Sequence, residues 1–161
     1  MSVVVSDTSP IRALHFLDRL DLLDQLFGDV YIPPAVCDEL LQSTRPGTEV
    51  DVTIYRYIVV QQPSDPARVE QWLEVLDPGE SEALALAEEL SASTVVIDEA
   101  DGRRAAEAAG FEVIGTLGVL VRGKREGLVT VVAPLVDRLR DELGFYMTNL
   151  LREQVLRLSG E

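Results

Sequence analysis

The chain has 161 residues, of which 47% are hydrophobic, and its 28 acidic and 14 basic residues give a net charge of −14. This length predicts one domain over residues 1–161, while a single cysteine and a single histidine exclude an internal disulfide and an ordinary zinc site. No stretch reaches the roughly 18 apolar residues of a membrane span, and no basic region precedes the first apolar run, so we expect a cytoplasmic protein with no membrane partner.

The first ten residues combine an apolar run with polar side chains and a proline. Residues 3–5 are valines, and an unbroken β-branched run is typical of a strand that is buried on both faces. Pro10 fits the first turn of a helix with Thr8 or Ser9 as its N-cap. Asp7 then lies at the carboxyl end of the strand, the edge where open α/β sheets bind ligands. We therefore interpret Asp7 as the first ligand of an acidic metal-binding site.

Helical patterns surround one short strand in the next segment. Leucines at helical spacing after Pro10 indicate an amphipathic helix or helix pair that ends near Gly28. Val30–Ile32 has the composition of a strand. Two prolines then begin a helix over residues 35–42, which carries Glu39 beside inward-facing apolar residues.

Strands and helices alternate over the second half of the chain. The predicted strands are residues 53–61, 94–97 and 111–114, and the predicted helices are residues 67–76, 80–90 and 102–109. Residues from 116 on are mostly helical with breaks near Gly127 and Gly144, and the helices from about 130 to 161 are expected to pack on the domain or on a partner. The alternation predicts a three-layer α/β/α sandwich around a parallel sheet of four or five strands, with residues 3–6 central and beside residues 95–97.

Acidic residues stand at five places that these elements could bring to one edge: Asp7, Glu39, the pair Glu80 and Glu82, Asp98, and Asp101. Asp98 ends an apolar strand as Asp7 does, so neighbouring strands would bring the two carboxylates together. Asp101 lies three residues after Asp98, a spacing that shares a helix face. Gathered carboxylates raise each other's pKa, and a hard divalent cation such as Mg²⁺ or Mn²⁺ removes that cost. Two such ions about 4 Å apart activate a water and stabilise a leaving oxygen in phosphate-ester hydrolysis.

Each of these acids also has a structural alternative. Asp7 could be an N-cap, Glu80 could be placed for the helix dipole, and Glu82 could be a solvated residue. Asp101 could solvate and cap its turn. For Glu39, spacing alone does not decide between a functional role and a solvated one.

The net charge of −14 disfavours nucleic acid on most of the surface, because phosphate binding relies on Lys and Arg. A nucleic-acid enzyme would need metal ions in an acidic cleft or a basic patch at its rim. The candidates for such a patch are Arg103, Arg104, Arg122, Lys124 and Arg125.

Two other classes of phosphate chemistry fit less well. A haloacid-dehalogenase-like phosphatase needs a second acid where this chain has Ser9. A receiver domain needs a lysine after a late strand, whereas Lys124 follows a helical segment. Both classes are therefore less favoured.

Four short motifs, taken together, resemble the PIN-domain nucleases in order and spacing. They are residues 6–10 (Ser-Asp-Thr-Ser-Pro), 32–40, 79–83 (Gly-Glu-Ser-Glu-Ala) and 96–98 (Val-Ile-Asp), and the likeness extends over nearly the whole chain. It is closest to a prokaryotic PIN-like family with the same Gly-Glu-x-Glu-Ala step, an Asp-Glu-x-x-Gly-Arg turn and a Gly-Thr-Leu-Gly-Val-Leu helix, here residues 115–120. The resemblance implies a PIN-like, Rossmann-like fold.

The resemblance also assigns roles to individual residues. The matched acids, which are the expected metal ligands, are Asp7, Glu39, Glu82 with Glu80 as a near alternative, Asp98, and the optional Asp101. The expected catalytic acids are Asp7, Glu39, Glu82 and Asp98. The hydroxyl that supports the first aspartate is that of Thr8 or Ser9.

Many PIN proteins are the toxin half of VapBC-type pairs, so the likeness implies a Mg²⁺- or Mn²⁺-dependent endoribonuclease with RNA as substrate and an antitoxin protein as partner. The dimers common among PIN toxins also predict a homodimer, in line with an excess of apolar residues late in the chain: Leu117, Val121, Leu135, Leu139, Leu150, Leu151, Val155 and Leu158. The alternative is a PIN-fold binding module that has lost catalysis and acts through a protein partner. The presence of all the matched acids favours the enzyme.

Overall fold

A computed structural model of the chain describes residues 2–43 and 45–161. The strands in this part of the chain are β1 (Val4–Ser6), β2 (Val30–Ile32), β3 (Ile58–Val60), β4 (Thr94–Val96) and β5 (Glu112–Ile114). They form one parallel sheet in the order β3-β2-β1-β4-β5. β1 is central and pairs with β4, with Val5 opposite Val95, which confirms the predicted neighbours.

Helices cover both faces of this sheet. They are α1 (Thr8–Phe16), α2 (Asp21–Phe27), α3 (Pro34–Leu41), α4 (Pro66–Leu73), α5 (Pro78–Glu89), α6 (Ala100–Ala108), α7 (Thr116–Arg125), α8 (Ala133–Arg138), which continues into a π-helical turn (Leu139–Leu143), and α9 (Asn149–Leu158). Val4 packs into a core with α1, α2 and α7, whereas Val5 packs into a second core with α5 and α6. Because neighbouring residues of a strand point to opposite faces, this division confirms the three-layer α/β/α fold. Within the described ranges, no helix is both long enough and apolar enough to cross a membrane.

The carboxyl ends of β1 and β4 lie side by side. The backbone amide of Asp7 donates to the carbonyl of Val96 at 2.9 Å, so the ladder between these strands continues one residue beyond β1. Asp98 follows β4 by two residues and lies at the same edge. Both strands pass almost directly into a helix, α1 at Thr8 and α6 at Ala100, so the edge is built from two strand-to-helix turns.

The predicted strand over residues 53–61 is wrong in its first half. Val52–Ile54 form a 3-10 helix, and strand pairing begins only with β3. The side chain of Asp51, the N-cap, accepts hydrogen bonds from the backbone amide of Thr53 at 3.0 Å and from its hydroxyl at 2.6 Å. These local bonds outweigh the strand propensity of the β-branched and aromatic residues.

The prediction that Thr8 or Ser9 caps α1 is also wrong. Asp7 occupies the N-cap position in an extended conformation, and α1 begins at Thr8. Pro10 lies in the first turn, as predicted. The hydroxyls of Thr8 and Ser9 therefore have no capping role and donate instead to acids at the same edge of the sheet.

The C-terminal helices contribute both to the core and to the surface. α9 packs against α7 and buries Val155. Of the eight late apolar residues predicted for core and assembly, five lie in or against the core: Leu117, Val121, Leu135, Leu139 and Val155. The other three, all in α9, are exposed: Leu150 by 63%, Leu151 by 38% and Leu158 by 56%. One apolar face of α9 thus remains at the surface of the chain.

Candidate active site

Asp7 is buried at the end of β1, with 4% of its surface exposed. Its Oδ1 has no hydrogen-bond partner among the described residues. Burial, followed by the negative charges of Glu80, Asp77 and Glu39, raises the pKa of this carboxyl from 3.8 to about 8, against the opposing effect of the Thr8 backbone amide. Asp7 therefore lacks the partner that its charged form requires.

Asp98 is held by donors from two helices. The hydroxyl of Ser9 in α1 donates to Oδ2 at 2.9 Å. Thr116, the first residue of α7, donates its backbone amide to Oδ1 and its hydroxyl to Oδ2, both at 2.7 Å. Both carboxylate oxygens thus have donors, and the orientation of the side chain is fixed.

Glu39 reaches the same edge from α3. The hydroxyl of Thr8 donates to its Oε2 at 2.5 Å. Arg12 holds the end of α3 by donating to the carbonyl oxygens of Glu39 at 2.7 Å, Thr48 at 2.7 Å and Gln42 at 3.0 Å. α1 therefore positions both the side chain and the backbone of Glu39.

Glu80 lies in the first turn of α5, next to the N-cap Asp77. The two residues form a capping box, in which the amide of Glu80 donates to Asp77 Oδ1 at 2.8 Å and the amide of Asp77 donates to Glu80 Oε1 at 3.3 Å. The other oxygen, Oε2, is buried and has no partner in the part of the chain that the structure describes. Burial, with smaller contributions from the charges of Asp77 and Glu99, raises the pKa of Glu80 to about 7.

Three glycines lie directly against these carboxylates. A Cβ atom would fall under 3.0 Å from a carboxylate oxygen at each of them: Gly79 with Glu39 (2.7 Å), Gly102 with Glu80 (2.6 Å) and Gly115 with Asp98 (2.9 Å). Cβ atoms essentially never approach other atoms so closely, so any other residue would displace the acid. The absence of a side chain at these positions is therefore part of the site.

Glu82 and Asp101 have other partners. Glu82 Oε1 accepts the backbone amide of Ala35 in the first turn of α3 at 3.1 Å. Asp101 is exposed and pairs with Arg104 on the surface of α6. These contacts favour Glu80 over Glu82 as the third acid of the edge and place Asp101 on a solvated helix face.

The fold and its acidic edge can be compared with known families. A family model described as a PIN domain matches residues 3–161. The chain belongs to the PIN-domain family. PIN domains are generally nucleases, a class of hydrolase, and a nuclease-type function follows at that level. No curated protein matches the sequence of the chain.

The carboxylate oxygens at the acidic edge of this PIN domain fit a hard divalent cation, the kind that PIN nucleases typically use. Asp7 Oδ1 and Glu80 Oε2 are carboxylate oxygens, which Mg²⁺ and Mn²⁺ prefer, and neither has a donor among the described residues. Across residues 2–43 and 45–161, no three His, Cys, Asp or Glu side chains lie close enough together to ligate one ion. Mg²⁺ usually takes only one or two protein carboxylates and keeps several waters, so a site at this edge does not require three side chains on one ion.

A cleft of about 1620 Å³ opens beside Glu39 and Asp98. Its walls carry five arginines, Arg12, Arg45, Arg103, Arg122 and Arg125, and four acids, Glu39, Asp98, Glu99 and Glu112. A chain with a net charge of −14 thus concentrates five of its 14 basic residues around one cleft of the PIN domain. Arg104 and Lys124, which the sequence offered equally for a basic patch, pair instead with Asp101 and Glu161.

Sequence reasoning missed Asp77 and assigned no role to the three glycines beside the acids of this PIN domain. Asp77 had a readable signal, because Asp-x-x-Glu before an apolar run is the pattern of a capping box. The three glycines belong to motifs that carry the resemblance, but their contacts with the acids join segments far apart in the chain, which no short motif records.

Proposed function

We propose that this PIN domain is a metal-dependent endoribonuclease that hydrolyses RNA phosphodiesters with Mg²⁺ or Mn²⁺. The observation that carries the proposal is the pair of buried oxygens, Asp7 Oδ1 and Glu80 Oε2, for which the described residues supply no donor. Burying a carboxylate oxygen without a partner costs free energy. A divalent cation would coordinate both oxygens and would offset the neighbouring negative charges that help to raise the pKa of both groups.

Each residue of the edge has a distinct part in this proposal. Asp7 and Glu80 would hold the cation directly, and Glu39 and Asp98 would bind the waters that it keeps. When bound, the ion supplies an activated water for attack on phosphorus and positive charge for the leaving oxygen. Thr8 orients Glu39, while Ser9 and Thr116 orient Asp98, and Glu82 and Asp101 are not needed.

The arginine-lined cleft supports a polyanionic substrate. Phosphate binding depends on Lys and Arg, and the cleft concentrates arginines next to the acids in an otherwise acidic chain. The resemblance of the chain to VapC-like toxins favours RNA over DNA as the substrate. Cleavage of single-stranded DNA with equal efficiency would contradict this choice of substrate.

The same resemblance places the chain as the toxin of a toxin–antitoxin pair, acting as a homodimer. The exposed leucines of α9, Leu150, Leu151 and Leu158, offer an apolar face for a second chain. Light scattering at micromolar concentration should give twice the mass of one chain, and a monomer would contradict the dimer. Expression of the wild-type chain in cells should arrest growth, whereas Asp7→Asn should not.

A cleavage assay tests the nuclease directly. The purified chain is incubated with end-labelled single-stranded RNA, or DNA of the same sequence, with Mn²⁺, Mg²⁺ or a chelator. We expect metal-dependent RNA cleavage that Glu39→Gln and Glu80→Gln abolish. Asp38→Asn, which alters the exposed acid next to Glu39 on α3, is the matched control and should leave the rate unchanged.

Two outcomes of this assay would contradict the proposal. Binding of RNA without cleavage under any metal condition would favour the PIN-fold binding module. Full activity in Glu80→Gln together with loss in Glu82→Gln would make Glu82 the third acid, as the sequence alone suggested.

A further inference from the structure

Arg103 lies next to Asp98 at the acidic edge. It belongs to α6, and its Nη1 donates back to the carbonyl of Ile97 at the end of β4, at 3.0 Å. A Cβ atom on Gly115 would fall 2.7 Å from this Nη1 and 2.9 Å from Asp98 Oδ1. The guanidinium and the carboxylate are therefore neighbours across a glycine that has no side chain to separate them.

The hydrogen-bonding capacity of Arg103 is mostly unused by the protein. A guanidinium has five N–H donors in a rigid, planar fork. Among residues 2–43 and 45–161, Nη1 is the one nitrogen of this side chain with a hydrogen-bond acceptor, and no carboxylate forms an ion pair with it. The side chain is half-buried and lines the cleft, so its free donors have access to a ligand there.

Two other arginines of the cleft are committed to the protein. Arg12 donates to three backbone carbonyls that join α1 to α3 and the following loop, and Arg122 pairs with Glu126 and lies over the ring of Phe27. The side chain of Arg45, like that of Arg103, donates only to one carbonyl, that of Glu142, and the side chain of Arg125 has no hydrogen bond or ion pair among the described residues. What distinguishes Arg103 from these two is its place across Gly115 from the carboxylate of Asp98.

We propose that Arg103 binds the phosphodiester that is to be hydrolysed, through its free donors and the non-bridging phosphate oxygens. Bidentate contact of this kind is the preferred geometry between Arg and phosphate. The bond to Ile97 fixes the guanidinium, and Gly115 leaves the space that it occupies. This assignment rests on the proposed nuclease function and names the residue that brings the substrate to the acids.

The test compares Arg103→Ala and Arg103→Lys with wild type, with Arg104→Ala as the matched control. Cleavage of single-stranded RNA with Mn²⁺ gives kcat and KM, and fluorescence anisotropy with EDTA gives RNA binding as a function of salt. We expect Arg103→Ala to lower kcat/KM at least about tenfold. It should also reduce the slope of log K against log salt by about 0.7, the value for one phosphate contact on a single strand. Arg104→Ala should match wild type in both measurements.

Arg103→Lys separates phosphate binding from a structural role. A lysine keeps the charge and can donate to the Ile97 carbonyl, but it lacks the fork. We therefore expect Arg103→Lys to have the same salt slope and melting temperature as wild type but a lower kcat. Full recovery of kcat in Arg103→Lys would mean that Arg103 only secures the end of β4, and would overturn the assignment.

Gly115→Ala provides a second, independent variant. The backbone of Gly115 is extended, with φ −101° and ψ −179°, so alanine is tolerated there. The atoms that its Cβ would displace are the ends of two side chains, Arg103 and Asp98. We expect a reduced kcat with an unchanged salt slope, and a somewhat lower melting temperature because the displaced Asp98 Oδ1 accepts the Thr116 amide.

The outcomes distinguish this assignment from the nuclease proposal. If wild type cleaves RNA and Arg103→Ala has the same kcat and KM, the assignment is wrong while the nuclease proposal stands, whatever the binding data show. If wild type neither cleaves nor binds RNA, both are wrong.

Discussion

Asp7 and Asp98 end neighbouring strands and look alike in the sequence, but the structure surrounds them differently. Asp98 accepts hydrogen bonds from Ser9 and Thr116 through both of its oxygens. Asp7 has a buried Oδ1 for which the described residues offer no donor, and its pKa is raised to about 8. Both oxygens of Asp98 have donors, whereas Asp7 has one oxygen, Oδ1, for which the described residues supply none.

This difference separates two contributions to one site. Three donors on Asp98 stabilise its carboxylate and fix its direction, as the proposed role of an oriented ligand requires. A buried acid without donors destabilises the fold, and such groups concentrate where binding or catalysis uses them. We therefore expect substitution by asparagine to act on stability with opposite sign at the two positions.

The largest expected effect is the loss of metal binding at Asp7. Wild type should gain about 2.7 kcal/mol of unfolding free energy at a free Mn²⁺ concentration one hundred times the Kd, and Asp7→Asn should gain less because its amide carries no charge. Melting temperatures with and without Mn²⁺ measure this difference, and RNA cleavage should be abolished in the same variant. If Asp7 were only an N-cap, asparagine would replace it well and neither result would change. An active Asp7→Asn enzyme would refute the site.

The next effect is a loss of stability at Asp98. In Asp98→Asn the amide nitrogen cannot accept a hydrogen bond, so if the remaining oxygen serves the Thr116 amide, the hydroxyls of Ser9 and Thr116 lose their acceptor. The unfolding free energy in EDTA should fall by about 2 kcal/mol, as judged by urea denaturation at pH 7. Asp101→Asn is the control, since its exposed pair with Arg104 should change stability by less than about 0.5 kcal/mol. Equal stability of Asp98→Asn and wild type would remove the contrast with Asp7.

Asp7→Asn should instead stabilise the metal-free protein, and the gain should depend on pH. With a pKa of about 8 in the folded state and 3.8 in the unfolded state, Asp7 stays protonated in the fold while the unfolded chain loses its proton. The stability of wild type should therefore fall as the pH rises from about 4 to about 8, and Glu80, with a pKa of about 7, should add to the same trend. Asparagine does not titrate, so the unfolding free energy of the variant should equal that of wild type near pH 4. At pH 8 it should exceed that of wild type by about 1.4 kcal/mol or more, the free energy that corresponds to a shift of one pKa unit. Urea denaturation at both pH values in EDTA checks this, and a constant difference would contradict it.

Much of the fold could be predicted because its signals are local. The apolar runs that end in Asp7 and Asp98 predicted two adjacent central strands, and the sheet order confirms them. The prediction of a strand over residues 53–61 is wrong at its start, because the side chain of Asp51 accepts the backbone amide of Thr53 and so competes with the sheet for it. Local composition thus predicted the buried strands better than this partly exposed segment.

The acids of the proposed site are harder to choose from the sequence, because the choice between Glu80 and Glu82 depends on contacts between helices. Glu80 and Glu82 are two residues apart in α5, so they point in different directions around the helix. Recognising Asp77 as N-cap would have predicted that Glu80 turns back to the helix start. Glu82 accepts a hydrogen bond from the amide of Ala35 because α5 packs against α3, and no short motif predicts that packing.

The smallest expected effect tests whether the donors around Asp98 act on that residue alone. Ser9→Ala removes one hydroxyl from Asp98 and should lower the unfolding free energy by about 1 kcal/mol. Because the same bond is already disturbed in Asp98→Asn, the double variant should lose less than the sum of the two single losses. Ser9→Ala combined with Asp7→Asn should be additive within about 0.3 kcal/mol, since Ser9 and Asp7 share no hydrogen bond among the described residues. A double-mutant cycle by urea denaturation in EDTA measures both couplings. Strong coupling of Ser9 to Asp7 would mean that the two aspartates form one network, and the contrast between them would fail.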